Sequence, residues 1–294
     1  MRKVLVAAVI TCLILGLAVG AMAVELSWSG SAEFGIKGTT KEGEASGTFF
    51  GKGKITLTGT ATSGPWEVGV EISADPGVGD VDGYLKYSAE AFTLTLEDSV
   101  DNSIYDVGGA AGSPNIPGHA GLKLEVPFGS SFYIILNNTG VGEDVVYNFA
   151  GGADFAVGAL DLGVTFNSNG EEAADWYGSS YALKVGYSLD AVSLTAQYGA
   201  WSPVAAGLEA GSGYYFKMGY SLAGGGAFTL SYTGVDKNLN GKGTPTPEDY
   251  SKIYAEYTTP IAENVDLTFD VTSTDDGSGA ETVTTWEGKI AISF

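Results

Sequence analysis

Few residues of this chain can do acid/base or nucleophilic chemistry near neutral pH. Its single histidine is His119, which follows a long irregular stretch and Gly118 instead of standing beside a serine or aspartate on a strand. Catalysis is therefore not expected. The single cysteine, Cys12, lies in an apolar run near the amino terminus, without the small residues expected before a lipid-modified cysteine. One stretch suggests a metal. In Asp236-Lys237-Asn238-Leu239-Asn240-Gly241 oxygen-bearing side chains recur at every second position before a glycine, as at the start of an EF-hand-like Ca²⁺ loop, with Asp236, Asn238 and Asn240 as ligands. The pattern then departs, because its twelfth position is Pro247 and the nearest acid, Glu248, comes one residue late. A plain asparagine-rich turn is the alternative, and no other cofactor is implied.

The amino-terminal run belongs to targeting. Met1-Arg2-Lys3 is a short basic start, residues 4–20 are almost unbroken apolar, and Ala21-Met22-Ala23 has the A-x-A form of a cleavage site. Residues 1–23 are expected to be a secretory signal peptide, and residues 24–294 the mature chain, without cysteine. Removing Arg2 and Lys3 leaves 12 lysines against 35 acids, a net charge of −23. Nucleic-acid phosphates would be repelled by such a surface, so no nucleic-acid partner is expected. No later stretch approaches the roughly 20 apolar residues of a spanning helix. Entry into a membrane would have to be as a closed sheet.

The mature chain is a succession of short alternating runs separated by Gly, Asn, Asp, Ser and Pro clusters, with little helical periodicity, which predicts an all-β chain. Candidate strands cover 25–37, 48–59, 65–74, 81–89, 91–97, 121–126, 131–138, 144–157, 160–167, 176–189, 192–201, 212–222, 227–235, 250–259, 265–273 and 281–294. That makes sixteen. Polar loops are expected at 38–47 and 75–80, a turn at 260–264, and the longest irregular stretch of the first half at 98–118. Loops and turns are expected to alternate in length, as in transmembrane antiparallel β-barrels, whose extracellular loops are long and periplasmic turns short.

Charge follows the alternation. Fourteen acids and nine lysines occupy one face of these strands, summing to −5, and the other face is expected to carry no charge. A lipid-facing surface explains that exclusion, but the core of a soluble sandwich would explain it equally. Aromatic placement favours the membrane: outward Tyr147, Tyr177, Tyr198, Tyr214 and Tyr232 gather near one end, and Tyr187, Tyr220, Tyr257 and Phe294 near the other, as two interfacial girdles would. Among the first five strands only Tyr87 belongs to this set, while Gly51, Gly53, Gly59, Ala61 and Gly83 face out.

The terminal strand carries the resemblance. Ile290, Ile292 and the final Phe294 alternate on one face, similar to the signal that outer-membrane β-barrel proteins present to the barrel-assembly machinery. The long stretch after the fifth strand resembles the third loop of the general diffusion porins, a family of sixteen-stranded trimeric barrels in which that loop narrows the lumen. The resemblance implies a bacterial outer-membrane location, a homotrimer joined through the tyrosine-poor arc, contact with outer-membrane lipid, and passive diffusion of small hydrophilic solutes, to which the acidic charge balance of the strands and loops adds a preference for cations. It implies a constriction formed by Asp98, Asp101 and Asp106 facing Lys52, Lys54, Lys86 or Lys123. In enteric porins arginines face the acidic loop, whereas here no arginine follows Arg2. Two alternatives stand beside this expectation. One is a substrate-specific channel whose inward Trp201, Tyr84, Tyr133, Tyr215, Tyr250 and Tyr254 stack sugars; the other is a plugged structural or adhesive barrel.

Overall fold

The computed structural model describes residues 23–41, 44–75, 78–97, 121–127, 131–138, 147–168, 177–203, 210–236, 239–240, 244–245, 250–275 and 282–294. The expected signal peptide up to residue 22, the 98–118 stretch with Asp98, Asp101 and Asp106, His119 and Asn238 lie outside the described residues.

The strands are β1 (Ala23–Lys41), β2 (Glu44–Ser63), β3 (Trp66–Asp75), β4 (Val78–Ser88), β5 (Thr93–Glu97), β6 (Gly121–Pro127), β7 (Ser131–Asn138), β8 (Tyr147–Val157) and β9 (Leu160–Ser168). There follow β10 (Tyr177–Leu189), β11 (Val192–Pro203), β12 (Gly211–Ser221), β13 (Ala227–Asp236), β14 (Leu239–Asn240), β15 (Thr244–Pro245), β16 (Tyr250–Ala262), β17 (Val265–Asp275) and β18 (Val283–Ser293). The pair β14–β15 is a two-residue ladder of its own. The other sixteen form one closed antiparallel barrel, in which each strand pairs with its chain neighbour, β13 passes to β16, and β18 returns to β1.

Closure leaves the barrel no free edge, so each of its sixteen strands finds backbone partners on both sides. Tight turns gather at one end. Gly64, Gly158, Asp190 and Asn264 take positive φ values of 58°, 64°, 50° and 60° there, in two-residue connections whose left-handed backbone matches the twist of the flanking strands. Both ends of the ring, Ala23 and Phe294, lie at this turn end.

The distribution of side chains is inverted relative to a water-soluble protein. Phe49, Leu26 and Trp28 are 85%, 73% and 71% exposed. Buried apolar residues among those described are few and small: Ala61, Val70, Ala150, Ala182 and Val235. A sandwich would put the large apolar side chains between its sheets. Here they cover the outside of a ring, where water would cost about 25 cal/mol per Å² and hydrocarbon would not. This resolves the ambiguity that charge alternation left open.

The ladders depart from expectation in four places. The 38–47 loop is mostly strand, because β1 and β2 continue pairing up to Lys41 opposite Glu44. Likewise the 75–80 loop closes tightly, with Asp75 opposite Val78. The first two connections at the loop end are thus as short as those at the turn end, and the asymmetry begins only after β5. Pro260 belongs to β16 rather than to a turn, accommodated by a register irregularity between Pro260 and Ala262. Finally, β13 and β17 extend to Asp236 and Asp275, which share the parity of the outward apolar set, so the outward face carries a charge at the last residue of each. Both residues stand at the loop end.

Candidate functional site: the seam and the inner wall

Closing the ring joins the two ends of the chain. The Phe294 amide donates to the Gly30 carbonyl at 3.0 Å, and the Gly30 amide donates to the Phe294 carbonyl at 2.8 Å. The terminal ring covers Gly30 on the outer surface, where any Cβ would collide with it, and meets Trp28 edge-on at 6.3 Å. Ile290 and Ile292 continue the outward row, opposite Phe34 and Ala32 of β1. The expected assembly residues are thus also the residues of the seam.

Aromatic residues gather at two levels of the outer face. Towards the loop end Tyr181 contacts Tyr198 at 6.3 Å, Tyr198 lies opposite Tyr214, and Tyr214 contacts Tyr232 at 5.8 Å. Towards the turn end Tyr220 is followed across the strands by Phe228, Tyr257 and Phe269, and Trp66 packs on Tyr87 at 4.7 Å. Tyr181 was missing from the sequence expectation. A register irregularity separates Tyr177 from Ser179. The side chains of Tyr147 and Tyr177 lie outside the described residues.

Among the charges of the inner face, three groups stand out. On β3–β6 Glu67 accepts a hydrogen bond from the Tyr84 hydroxyl at 2.8 Å and faces the Lys86 ammonium at 3.9 Å. Tyr84 reaches it by lying flat across Gly69, where a side chain would block the ring. Next along the row come Thr95 and Lys123, which is 2.9 Å from Glu125. On β1–β2 the ammonium groups of Lys37 and Lys52 each stand 5.5 Å from the centre of the inward Phe50 ring, a cation–π contact of about 0.5–1 kcal/mol where water has access.

The third group spans the seam. Glu256, Asp270 and Glu287 are direct neighbours across β16, β17 and β18, and Lys37 of β1 lies opposite Glu287. Lys289 holds Glu33 and Glu287, each at 3.5 Å, and the Tyr254 hydroxyl donates to Glu256. Three carboxylates in a row repel one another, and Lys289 offsets part of that repulsion.

No family model matches the sequence, and no curated protein is significantly similar to it. Solved structures are similar in fold. An engineered variant of the Rhodobacter blastica porin superposes with a TM-score of 0.66 at 15% identity, over 92% of this chain and 100% of that one. The anion-selective porin from Comamonas acidovorans superposes with a TM-score of 0.70 at 13% identity, over the same shares of the two chains. This chain folds as a porin-type β-barrel.

Within the porin-type barrel, the residues expected to form a constriction do not make one continuous row. Lys86 and Lys123 flank Thr95 on one arc and have nearby acids, whereas Lys52 and Lys54 stand on β2, opposite Glu33 and Ser31 of β1. Their expected acidic counterparts lie outside the described residues. Of the inward aromatics proposed for sugar stacking, Tyr84 and Tyr254 have hydroxyls committed to wall carboxylates. The side chains of Tyr133, Trp201 and Tyr250 lie outside the described residues. For calcium, Asp236 ends β13 and Asn240 pairs with Thr244; among the described residues no group of three or more metal-ligating side chains is arranged to hold an ion. The seam cluster and the Phe50 platform were not anticipated. The inward parity of their members was legible, but their adjacency depends on ring closure.

Proposed function

We infer that the mature protein is a passive diffusion channel of a bacterial outer membrane, admitting small hydrophilic solutes and ions with a preference for cations. The observation that carries this reading is the inversion of the barrel: large apolar side chains cover its outside, and ionisable side chains line its inside. Such a wall suits a hydrated lumen, where carboxylates and ammonium groups keep much of their solvation, and it suits no dry core. The sign of the preference follows from the charge balance. The Comamonas acidovorans porin is anion-selective, so similarity of fold leaves selectivity open. This chain has 35 acids and, after residue 23, only 12 lysines and no arginine, so its field attracts cations.

Three finer parts belong to the same proposal. Residues 1–23 direct export and are removed. Three copies associate through the arc of β1–β5. Asp98, Asp101 and Asp106 narrow the pore. Reconstitution of the purified mature protein in a planar bilayer tests the reading: stepwise conductance supports a channel, and insertion without conductance supports a plugged barrel.

A further inference from the structure

We propose that the inner wall at the seam holds a binding site for a small zwitterion of the α-amino acid class, reached from the lumen of the proposed channel and in that respect resting on that reading. The site is a recess of about 450 Å³ on β17, β18, β1 and β2, within the ~300–1,000 Å³ range of small-molecule sites. Both signs of charge line it: Lys37 on one side, Asp270 and Glu287 on the other, with the hydroxyl groups of Thr39, Thr48 and Thr285 between and around them.

The charges in this recess are unevenly compensated. Glu287 is held by Lys289, which also holds Glu33. Asp270 and Lys37, by contrast, have no ion-pair partner among the described residues. They do not pair with each other, because β18 separates their strands and places their backbones roughly 10 Å apart. The Lys37 ammonium is drawn instead toward Phe50, on whose ring Lys52 also converges. A ligand with a carboxylate and an ammonium a few ångströms apart bridges this gap, its carboxylate meeting Lys37 and its ammonium meeting Asp270. A simple anion would satisfy Lys37 but face two carboxylates, and a simple cation the reverse.

Equilibrium dialysis of the folded mature protein in detergent against radiolabelled L-leucine tests the site without relying on conductance. Saturable binding of one leucine per chain is expected, displaced at least tenfold less well by N-acetyl-leucine, by leucine methyl ester and by glucose. Lys37→Gln and Asp270→Asn are each expected to weaken binding at least fivefold, compared at equal folded fraction, while Lys37→Arg restores most of it and Lys217→Gln, on β12, leaves it unchanged. Absence of saturable binding overturns the proposal, as does displacement by glucose equal to that by leucine, or affinity unaffected by both weakening substitutions. A protein that conducts without binding leucine refutes this site alone; one that binds leucine without conducting refutes the channel and keeps the site.

Discussion

Ile290 and Lys289 are adjacent in sequence yet face opposite surroundings, one outward beside the seam and the other between Glu33 and Glu287. Lys289→Arg keeps a cation between two carboxylates and is expected to leave the folded yield nearly unchanged. Ile290→Arg puts a charge on the lipid face, at a cost that reaches about 2–4 kcal/mol at a bilayer midplane. Folded yield in lipid vesicles, read by the shift in gel migration on heating, is expected to fall severalfold for Ile290→Arg only; equal yields would reverse the face assignment. Gly30 gives a second test of the seam. Gly30→Leu drives a side chain into the space of the Phe294 ring and is expected to lower the urea midpoint for unfolding from vesicles. An unchanged midpoint would mean that the terminal ring packs elsewhere.

Strand existence was legible from the sequence because period-2 alternation and Gly-, Asn- or Asp-bearing turns act locally, and all sixteen barrel strands fall where those signals placed them. Strand ends were less legible. Residues 38–41 and 44–47 are small or polar, which resembles loop, but at the rim of a barrel the cross-strand ladder continues through them. The site was legible only in part: inward parity marks Glu33, Asp270 and Lys289 as wall residues, but residues from opposite ends of the chain become neighbours only when β18 meets β1. Turn chemistry supplies the prediction at this scale. Asn264 has φ 60°, a conformation that costs most L-residues roughly 1–2 kcal/mol and Asn or Gly much less. Asn264→Gly is therefore expected to keep the urea midpoint and Asn264→Val to lower it; matching midpoints would remove the turn from the determinants of the β16–β17 register.

For the whole molecule, the proposed trimer, joined through the tyrosine-poor arc of β1–β5, should migrate in unheated detergent gels near three times the mature mass. Migration as one compact chain before heating would remove the trimer and leave the barrel. If the 98–118 stretch narrows the pore, neutralising Asp98, Asp101 and Asp106 together should reduce cation preference more than neutralising Glu263, Asp275 and Asp276. Equal effects would place that stretch away from the constriction. The central claim, a conducting barrel with an acidic inner field, is tested most directly by the reversal potential in a KCl gradient across a planar bilayer. Screening contracts from about 30 Å at 0.01 M to about 3 Å at 1 M, so the account predicts a potential of the sign that marks K⁺ preference, largest in dilute salt and shrinking as both solutions are concentrated. Anion preference in the unmodified protein, or no conductance from protein shown to be folded and inserted, would contradict it.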